Sequence, residues 1–370
     1  MLEIRETFPM SDWPRMLAFI KERYRPDIAV ASREFFDWQF RIGTDGNSPI
    51  LSAWDEGELQ GILGYLRWPV FWGAPDQTLD SVWTLYWMVR PEAPKGLGWL
   101  LHRKLMERFP VALSVNTSAQ GGPLLSAMGW TLEARVPRRL FVFDAEACAP
   151  LLGPESSRDA LSPFLCAPKT VEVSDTDAAV DGNSYRPDWT LYFERAFGTV
   201  RSLDYLRWRY LSHPFFEYRV ELRGAPERPA VCVFRVERIF GAAQGLAGRI
   251  VDLYHPLDEQ GRLDGRAALG AALSELKSAG CAFADFVGSH DAFNATAQEA
   301  GGNEEPVERQ ILPSRLTPLQ HLRREQNLAW FASKGLERPA LGLIHCTRSD
   351  IDGDGPASLN LPDRRGPRMV

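Results

Sequence analysis

The 370-residue sequence lacks the marks of secreted, membrane-spanning and nucleic-acid-binding proteins. Its five cysteines are scattered without a C-x-x-C pair, which argues against a disulfide framework or a zinc site and favours a reducing cytoplasm. The net charge of −6 argues against a general nucleic-acid binder. No run approaches the roughly 20 apolar residues of a membrane span, and the N-terminus lacks the apolar core of a signal peptide. We therefore expect a cytoplasmic protein without a membrane span or a nucleic-acid partner.

One short motif could suggest a metal. The run DIDGDG, Asp350 to Gly355, imitates the start of an EF-hand calcium loop. The twelfth position of such a loop would be Leu361 rather than glutamate, and no helix pattern flanks it. We therefore expect no metal ion.

The chain is 45% hydrophobic and 24% charged, so it can bury substantial cores, and its length favours two domains. Periodicity predicts a strand, two helices, three strands, a helix, a strand, a helix and further strands, after which a similar order returns. We expect an α+β protein with two tandem domains, each a mixed, mostly antiparallel sheet flanked by helices. The predicted boundaries are 1–145 and 189–360, joined by a weakly structured linker at 146–188, with a disordered tail at 361–370.

The second half repeats the first at a spacing of about 170 residues, as a tandem duplication does. Trp38 is followed two places later by Phe40, and Trp208 is followed in the same way by Tyr210. The strand that ends at Pro91 has a counterpart in the strand that ends at Pro256.

A Gly-x-Gly pair, Gly96 and Gly98, stands between an apolar strand and an amphipathic helix. The free N–H groups and the dipole of a helix start attract anions, and glycine lets a phosphate approach the backbone. Lys95 adds a cation. The third glycine of a dinucleotide fingerprint is replaced by Leu101, and no Gly-Lys-Ser/Thr follows. The alternative is a glycine turn that serves packing only.

These residues resemble the acetyl-CoA pyrophosphate loop of GCN5-related N-acetyltransferases (GNAT). The next motif is also similar, because a strand ends at Asn116 and a helix then leads to Gly129-Trp130. The resemblance implies two GNAT-like domains and an oxyanion donor at the backbone N–H of Met88 or Val89. It places the CoA pyrophosphate on the N–H groups from Lys95 to Leu100. The implied cofactor-binding residues are Val89, Lys95, Gly96, Leu97, Gly98, Trp99, Leu100 and Asn116.

The sequence departs from the family at two positions. Ala93 stands where the loop usually begins with Gln or Arg, and Leu125 stands where a tyrosine often protonates the leaving thiolate. The second half offers only Gly261 and Gly265 at the corresponding turn. We therefore expect one CoA site, in the first domain, with the acceptor bound between the two domains.

The second-half run DYLRWRYLSHPFFEY and the tail CTRSDIDGDGPASLN resemble those of a narrower group, the tandem GNAT proteins that are encoded with surface-polysaccharide biosynthesis. The resemblance implies N-acylation of an amino sugar, nucleotide-linked, with acetyl-CoA or another short acyl-CoA as donor, by a monomer or homodimer. Two alternatives stay open. One is a non-catalytic interaction protein with the same fold, and the other is an aminoacyl transferase of the peptidoglycan-branching type, although no basic tRNA-binding insertion is present.

Candidate groups for proton removal and substrate binding come from polar residues in apolar strands. Asp285 is the predicted base, with an ion pair to a neighbour such as Arg249 as the alternative. Asp252 and His290 are candidate substrate contacts, with an ion pair as the alternative for Asp252 and a capping or surface role as the alternative for His290. Trp83 and Trp87 alternate on one strand and are expected to share a face that lines an acyl pocket. Two other histidines are expected to be structural, His213 and His255, and His102 is expected on the surface of its helix.

Overall fold

The computed structural model describes residues 1–24, 27–42, 46–168, 185–239, 245–314, 319–321, 326–350 and 354–355. Its α-helices are α1 (Trp13–Arg23), α2 (Arg33–Phe40), α3 (Leu97–Arg108), α4 (Gly121–Ala127), α5 (Ala145–Cys148), α6 (Leu203–Leu206), α7 (Glu259–Ser278) and α8 (Asp291–Glu299). The strands of the first half are β1 (Glu3–Arg5), β2 (Phe8–Pro9), β3 (Asn47–Ser48), β4 (Ile50–Asp55), β5 (Glu58–Arg67), β6 (Val70–Trp72), β7 (Thr78–Leu79), β8 (Ser81–Val89), β9 (Val111–Val115), β10 (Thr131–Glu133) and β11 (Arg138–Val142). Those of the second half are β12 (Phe197–Thr199), β13 (Arg219–Arg223), β14 (Ala230–Arg238), β15 (Leu246–Tyr254), β16 (Cys281–Val287), β17 (Asn303–Glu304), β18 (Leu328–Ala332) and β19 (Ile344–His345).

Two large sheets organise these strands. The first has the order β1-β4-β5-β8-β9-β18-β10, and the second has the order β13-β14-β15-β16-β11-β17. Each is antiparallel except for one parallel pair, β8 with β9 in the first sheet and β15 with β16 in the second. The predicted fold class is therefore confirmed.

The two sheets exchange strands. β18, from the end of the chain, lies between β9 and β10 in the first sheet. β11, from the first half, lies between β16 and β17 in the second sheet. A linear boundary at residue 145 therefore does not separate the sheets, because β11 pairs with strands of the second half.

Equivalent residues of the predicted repeat meet in the structure. The indole Nε1 of Trp38 donates to the carbonyl of Trp208, and the Nε1 of Trp208 donates to the carbonyl of Trp38, both at 2.9 Å. The two rings stack with centroids 5.4 Å apart. Such reciprocal contact is what a pseudo-twofold arrangement of two copies produces.

Part of the predicted linker is well packed. Between residues 145 and 164, four side chains join Phe283 of β16 in one apolar cluster: Cys148, Leu151, Leu161 and Phe164. Residues 169–184 and the predicted tail at 361–370 lie outside the described residues. Among the described helices, none combines the length and hydrophobicity that crossing a bilayer requires.

Candidate functional site

The parallel strands β8 and β9 part soon after they begin. Their paired positions start at Ser81–Val111 and end at Trp83–Leu113, although β8 runs on to Val89. At Tyr86, β8 bulges with a φ of 50°, and the register against β5 shifts there. Because a bulge bends its strand, β8 turns away from β9. An opening therefore lies between the later part of β8 and β9.

Beyond the bulge, successive N–H groups of β8 point alternately toward β5 and toward the opening. The Arg90 N–H donates to the Gln60 carbonyl at 2.8 Å, and Val89 lies opposite Gly61 in the same register. Hydrogen-bonded and non-bonded pairs alternate along antiparallel strands, so Met88 turns its N–H toward β5 as Arg90 does. Val89 turns its N–H toward the side that β9 has left. Of the two predicted oxyanion donors, only Val89 is thus directed into the opening.

The start of α3 lies beside this opening without a side-chain cap. Gly96 adopts a φ of 84°, a left-handed conformation that glycine tolerates best. The Leu97 N–H donates to the Pro94 carbonyl, and the Leu100 N–H donates to the Gly96 carbonyl inside the helix. Within the first turn of the helix, the amides of Gly98 and Trp99 therefore remain for an anion.

Lys95 completes the positive end of this site. It is exposed and immediately precedes Gly96. The Trp99 ring is 44% exposed and lies under the Arg103 guanidinium, 5.4 Å from the ring centroid. An anion at the first turn would therefore meet two backbone amides, a helix dipole and a mobile cation.

Trp87 fills the space between the starts of α3 and α4. A Cβ at Gly98 would lie 2.7 Å from its indole Nε1, and a Cβ at Gly121 would lie 3.5 Å from its ring. Trp83 instead points to the opposite face, where its Nε1 donates to the Thr199 hydroxyl at 2.9 Å. The prediction that Trp83 and Trp87 share a face is wrong, because the bulge at Tyr86 interrupts the alternation of side chains.

His102 lies one turn beyond Gly98 and is buried, not on the surface as expected. Its ring meets Trp87 edge to face at a centroid distance of 4.4 Å and Trp130 at 5.6 Å. Neither ring nitrogen has a hydrogen-bond partner in the described part of the chain. Burial lowers the pKa of His102 to about 3, so the imidazole is neutral at physiological pH.

The corresponding helix start in the second half is occupied. The Asp258 carboxylate caps α7 by accepting the Gly261 N–H at 2.7 Å, and Arg228 donates to Asp258 at 2.6 Å. His255, which follows β15, has both ring nitrogens engaged, with the Pro256 carbonyl and the Thr296 hydroxyl, each at 2.7 Å. The Asp258 carboxylate thus occupies the place at this helix start where a phosphate would lie.

Asp285 lies in a buried cluster of charges and is fully inaccessible. Its carboxylate accepts from Arg138 at 2.8 Å and from Arg348 at 2.6 Å, and the Arg249 Nε lies 3.5 Å away. Burial raises the pKa of Asp285, but the three guanidinium groups outweigh it and hold that pKa below the usual value. These contacts are those of the structural ion pair and not of a general base, because the carboxylate meets no opening.

Asp252 and His290 do not join Asp285. Asp252 accepts from Arg201 at 2.8 Å and from Tyr210 at 2.8 Å, in a second buried cluster. His290 is buried against Phe293, with ring centroids 4.6 Å apart, and burial lowers its pKa to about 3. Both residues therefore pack the interior, and neither is positioned to contact a substrate.

A cavity of about 840 Å³ lies between the ends of β9 and β16. Its lining includes four arginines and three acidic residues: Arg135, Arg138, Arg309 and Arg348, with Glu155, Glu305 and Glu308. The Nε of Arg348 has no hydrogen-bond partner among the described residues, although the side chain is nearly inaccessible. Asn116 closes β9 in a left-handed conformation at a φ of 59°, and its N–H donates to the Asn327 carbonyl at 3.3 Å. Residues from both halves of the chain therefore line this cavity, which lies beside the end of β9.

Known structures share this fold. The chain superposes on a GCN5-related N-acetyltransferase from Anabaena variabilis with a TM-score of 0.52, at 10% identity over 89% of this chain and 72% of that one. A conserved protein from Enterococcus faecalis, described as a probable N-acyltransferase, gives a TM-score of 0.50 at 10% identity, over 93% and 73% of the two chains. N-myristoyltransferase from Saccharomyces cerevisiae, solved with bound myristoyl-CoA, gives 0.50 at 10% identity, over 90% and 79%.

At these identities the likeness establishes the fold, which is GNAT-like over most of the chain. No family model and no curated protein matches the sequence.

Proposed function

We propose that the protein is an acyl-CoA-dependent N-acyltransferase that binds its donor where β8 and β9 part. The observation that carries the proposal is the uncapped start of α3 beside that opening. The CoA pyrophosphate would lie on the amides of Gly98 and Trp99, with Lys95 beside it. Asn116, at the end of β9, is placed on the opposite side of the opening, where the donor's arm would pass.

The chemistry requires stabilisation of a charge on the thioester oxygen. The acceptor's amine nitrogen forms a bond to the carbonyl carbon, the carbon–sulfur bond breaks, and its electron pair stays on sulfur. The Val89 N–H, directed into the opening, would donate to the carbonyl oxygen while negative charge grows there. Because Asp285 is held in its ion pairs, the amine proton leaves to water rather than to that carboxylate.

The acceptor we propose is an amino sugar, nucleotide-linked, used in surface-polysaccharide biosynthesis. The sequence resemblance supports the sugar, and the cavity between the sheets supports the anionic nucleotide. Arg309 lines that cavity together with the amide of Gln326. Guanidinium groups bind phosphate oxygens through two parallel hydrogen bonds, which suits a diphosphate.

A single substitution tests the donor site without disturbing the fold. Asp at position 99 would stand in the first turn of α3, where a carboxylate stabilises a helix but repels a phosphate. We expect Trp99→Asp to weaken CoA binding by roughly tenfold or more, the effect of about 1.4 kcal/mol, with an unchanged or raised melting temperature. The matched control Trp99→Asn removes the same ring without adding charge and should bind CoA more tightly than Trp99→Asp.

Calorimetry with CoA gives both affinities, and a thiol-release assay with acetyl-CoA and nucleotide-linked amino sugars gives the activity. Equal CoA affinity in the Asp and Asn variants would contradict the phosphate position. Tight CoA binding without turnover on any amine would favour a non-catalytic protein.

A further inference from the structure

The ring of His102 is buried without hydrogen bonds. It is 1% exposed, and neither nitrogen has a partner in the part of the chain that the structure describes. A buried polar group without a partner destabilises a protein by about 1–3 kcal/mol, and more than about nine in ten such groups are paired. A group that costs stability in this way calls for a partner that the described residues do not supply.

The location of His102 indicates what that partner is. His102 is four residues after Gly98 and therefore on the same face of α3. The Trp87 indole lies over both residues, close to Gly98 and 4.4 Å from the His102 ring centroid. Trp87 is itself only half-buried, and it stands in the gap that β9 leaves on parting from β8. The indole therefore covers His102 from the side of the proposed donor site.

We propose that Trp87 is a movable cover over a slot for the pantetheine arm of acyl-CoA, and that His102 is the polar wall of this slot. The inference rests on the proposed donor site. When the indole swings aside, the imidazole pairs with an amide of the arm. A neutral imidazole carries one donor and one acceptor, and an amide carries the complementary acceptor and donor.

The second half shows that this fold can satisfy a histidine when only packing is needed. His255, in the loop between β15 and α7, packs against Gly265 of α7, and both its nitrogens are paired at 2.7 Å. His255 is thus satisfied by the protein itself, whereas His102 is not satisfied by the described residues.

The substitution His102→Phe separates the two roles. Phenylalanine has a similar shape and no unpaired polar atom, so the melting temperature should stay the same or rise. CoA binding should weaken about tenfold, which is the loss of about 1.4 kcal/mol. Binding of adenosine 3′,5′-bisphosphate, which lacks the arm, should not change. The matched variant His255→Phe should lower the melting temperature and leave CoA binding intact.

Trp87→Phe adds a second measurement. In a Trp99→Phe background, which removes the other indole at the proposed donor site, CoA should change the tryptophan fluorescence, and this change should largely disappear when Trp87→Phe is added. Equal weakening of both ligands by His102→Phe, or no weakening of either, would overturn the slot. A CoA-induced fluorescence change of the same size with and without Trp87→Phe in that background would overturn the cover. Failure of the wild type to bind CoA at all would instead remove the donor site on which the inference rests.

Discussion

The two halves share a strand followed by a helix, β8–α3 and β15–α7, but the starts of the two helices differ. In the first half, α3 begins after β8 with no side-chain cap, a left-handed Gly96 and an exposed lysine. In the second half, α7 begins after β15 under the Asp258 carboxylate, which Arg228 holds in place. A helix start attracts one anion, and in α7 the protein supplies that anion itself.

The histidines behind the two helix starts differ in the same way. His255 is fully hydrogen-bonded, whereas His102 has no partner in the described residues. Fold therefore does not decide which copy binds a ligand. The copy that we expect to bind is the one whose helix start has no side-chain cap and whose nearby histidine, His102, has no partner among the described residues.

The largest expected effect on stability comes from the buried ion pairs of Asp285. Asp285→Asn should lower the free energy of unfolding by about 3–5 kcal/mol, because it leaves three buried arginines without their shared carboxylate. Urea denaturation measures the change, and Asp76→Asn, an exposed acid of the first half, is the control. Normal stability with a lost turnover would restore Asp285 as a base.

The same carboxylate makes stability depend on pH. The pKa of Asp285 is lowered in the folded protein, so its contribution is present above the unfolded pKa near roughly 4 and is lost as pH falls through the folded value. Wild-type stability should therefore decline below about pH 4, and Asp285→Asn should flatten that part of the curve. Denaturation midpoints of the two proteins, measured from neutral to acidic pH, test this. The same decline in stability in both proteins would contradict the prediction.

A smaller effect is expected when the cap of α7 is removed. Asp258→Ala should destabilise the protein by about 1 kcal/mol, the usual worth of a cap, without creating a second CoA site. Asp258→Asn keeps an acceptor oxygen and should behave more like the wild type. Calorimetry measures the number of CoA molecules bound per chain. Two CoA molecules per Asp258→Ala chain would show that the Asp258 cap alone prevents CoA binding at the start of α7.

The smallest effect is expected at the cation beside α3. Lys95→Ala should weaken CoA binding by about two- to fivefold, since an exposed charge contributes only about 0.2–1 kcal/mol. Raising the salt concentration should shrink the difference. Lys104→Ala, on the exposed side of the same helix, is the control. Identical affinities for the two variants would place the phosphate elsewhere.

Local structure followed from the sequence wherever a local rule decides it. Ser32 caps α2 through the Phe35 N–H, as serine commonly does at a helix start. The main elements of the first half follow the predicted order, and the structure adds four short strands, β2, β3, β6 and β7. The glycine turn before α3 was found because Gly96 needs a left-handed backbone. Only the register of β8 against β5 distinguishes Val89 from Met88 as the oxyanion donor. The periodicity of the sequence does not contain this register.

Long-range pairing could not be predicted in the same way. The pattern of β11 identifies a strand but not its partners, so its place beside β16 was missed. The bulge at Tyr86 places Trp87 on the face opposite Trp83. No glycine, proline or asparagine in this strand indicates the bulge from the sequence. His102 was expected at the surface because histidine counts as polar in a periodicity. Its spacing of four from Gly98 was the available signal.

The exchange of β11 and β18 also orders the events of protein synthesis. β9 leaves the ribosome with one edge lacking its partner, and that partner, β18, is made only after nearly all of the second half. Until then the first sheet presents an open edge that can pair with other chains. Crowding of nascent chains, chaperone supply and translation pauses should therefore affect the yield of this protein more than that of one whose halves close independently.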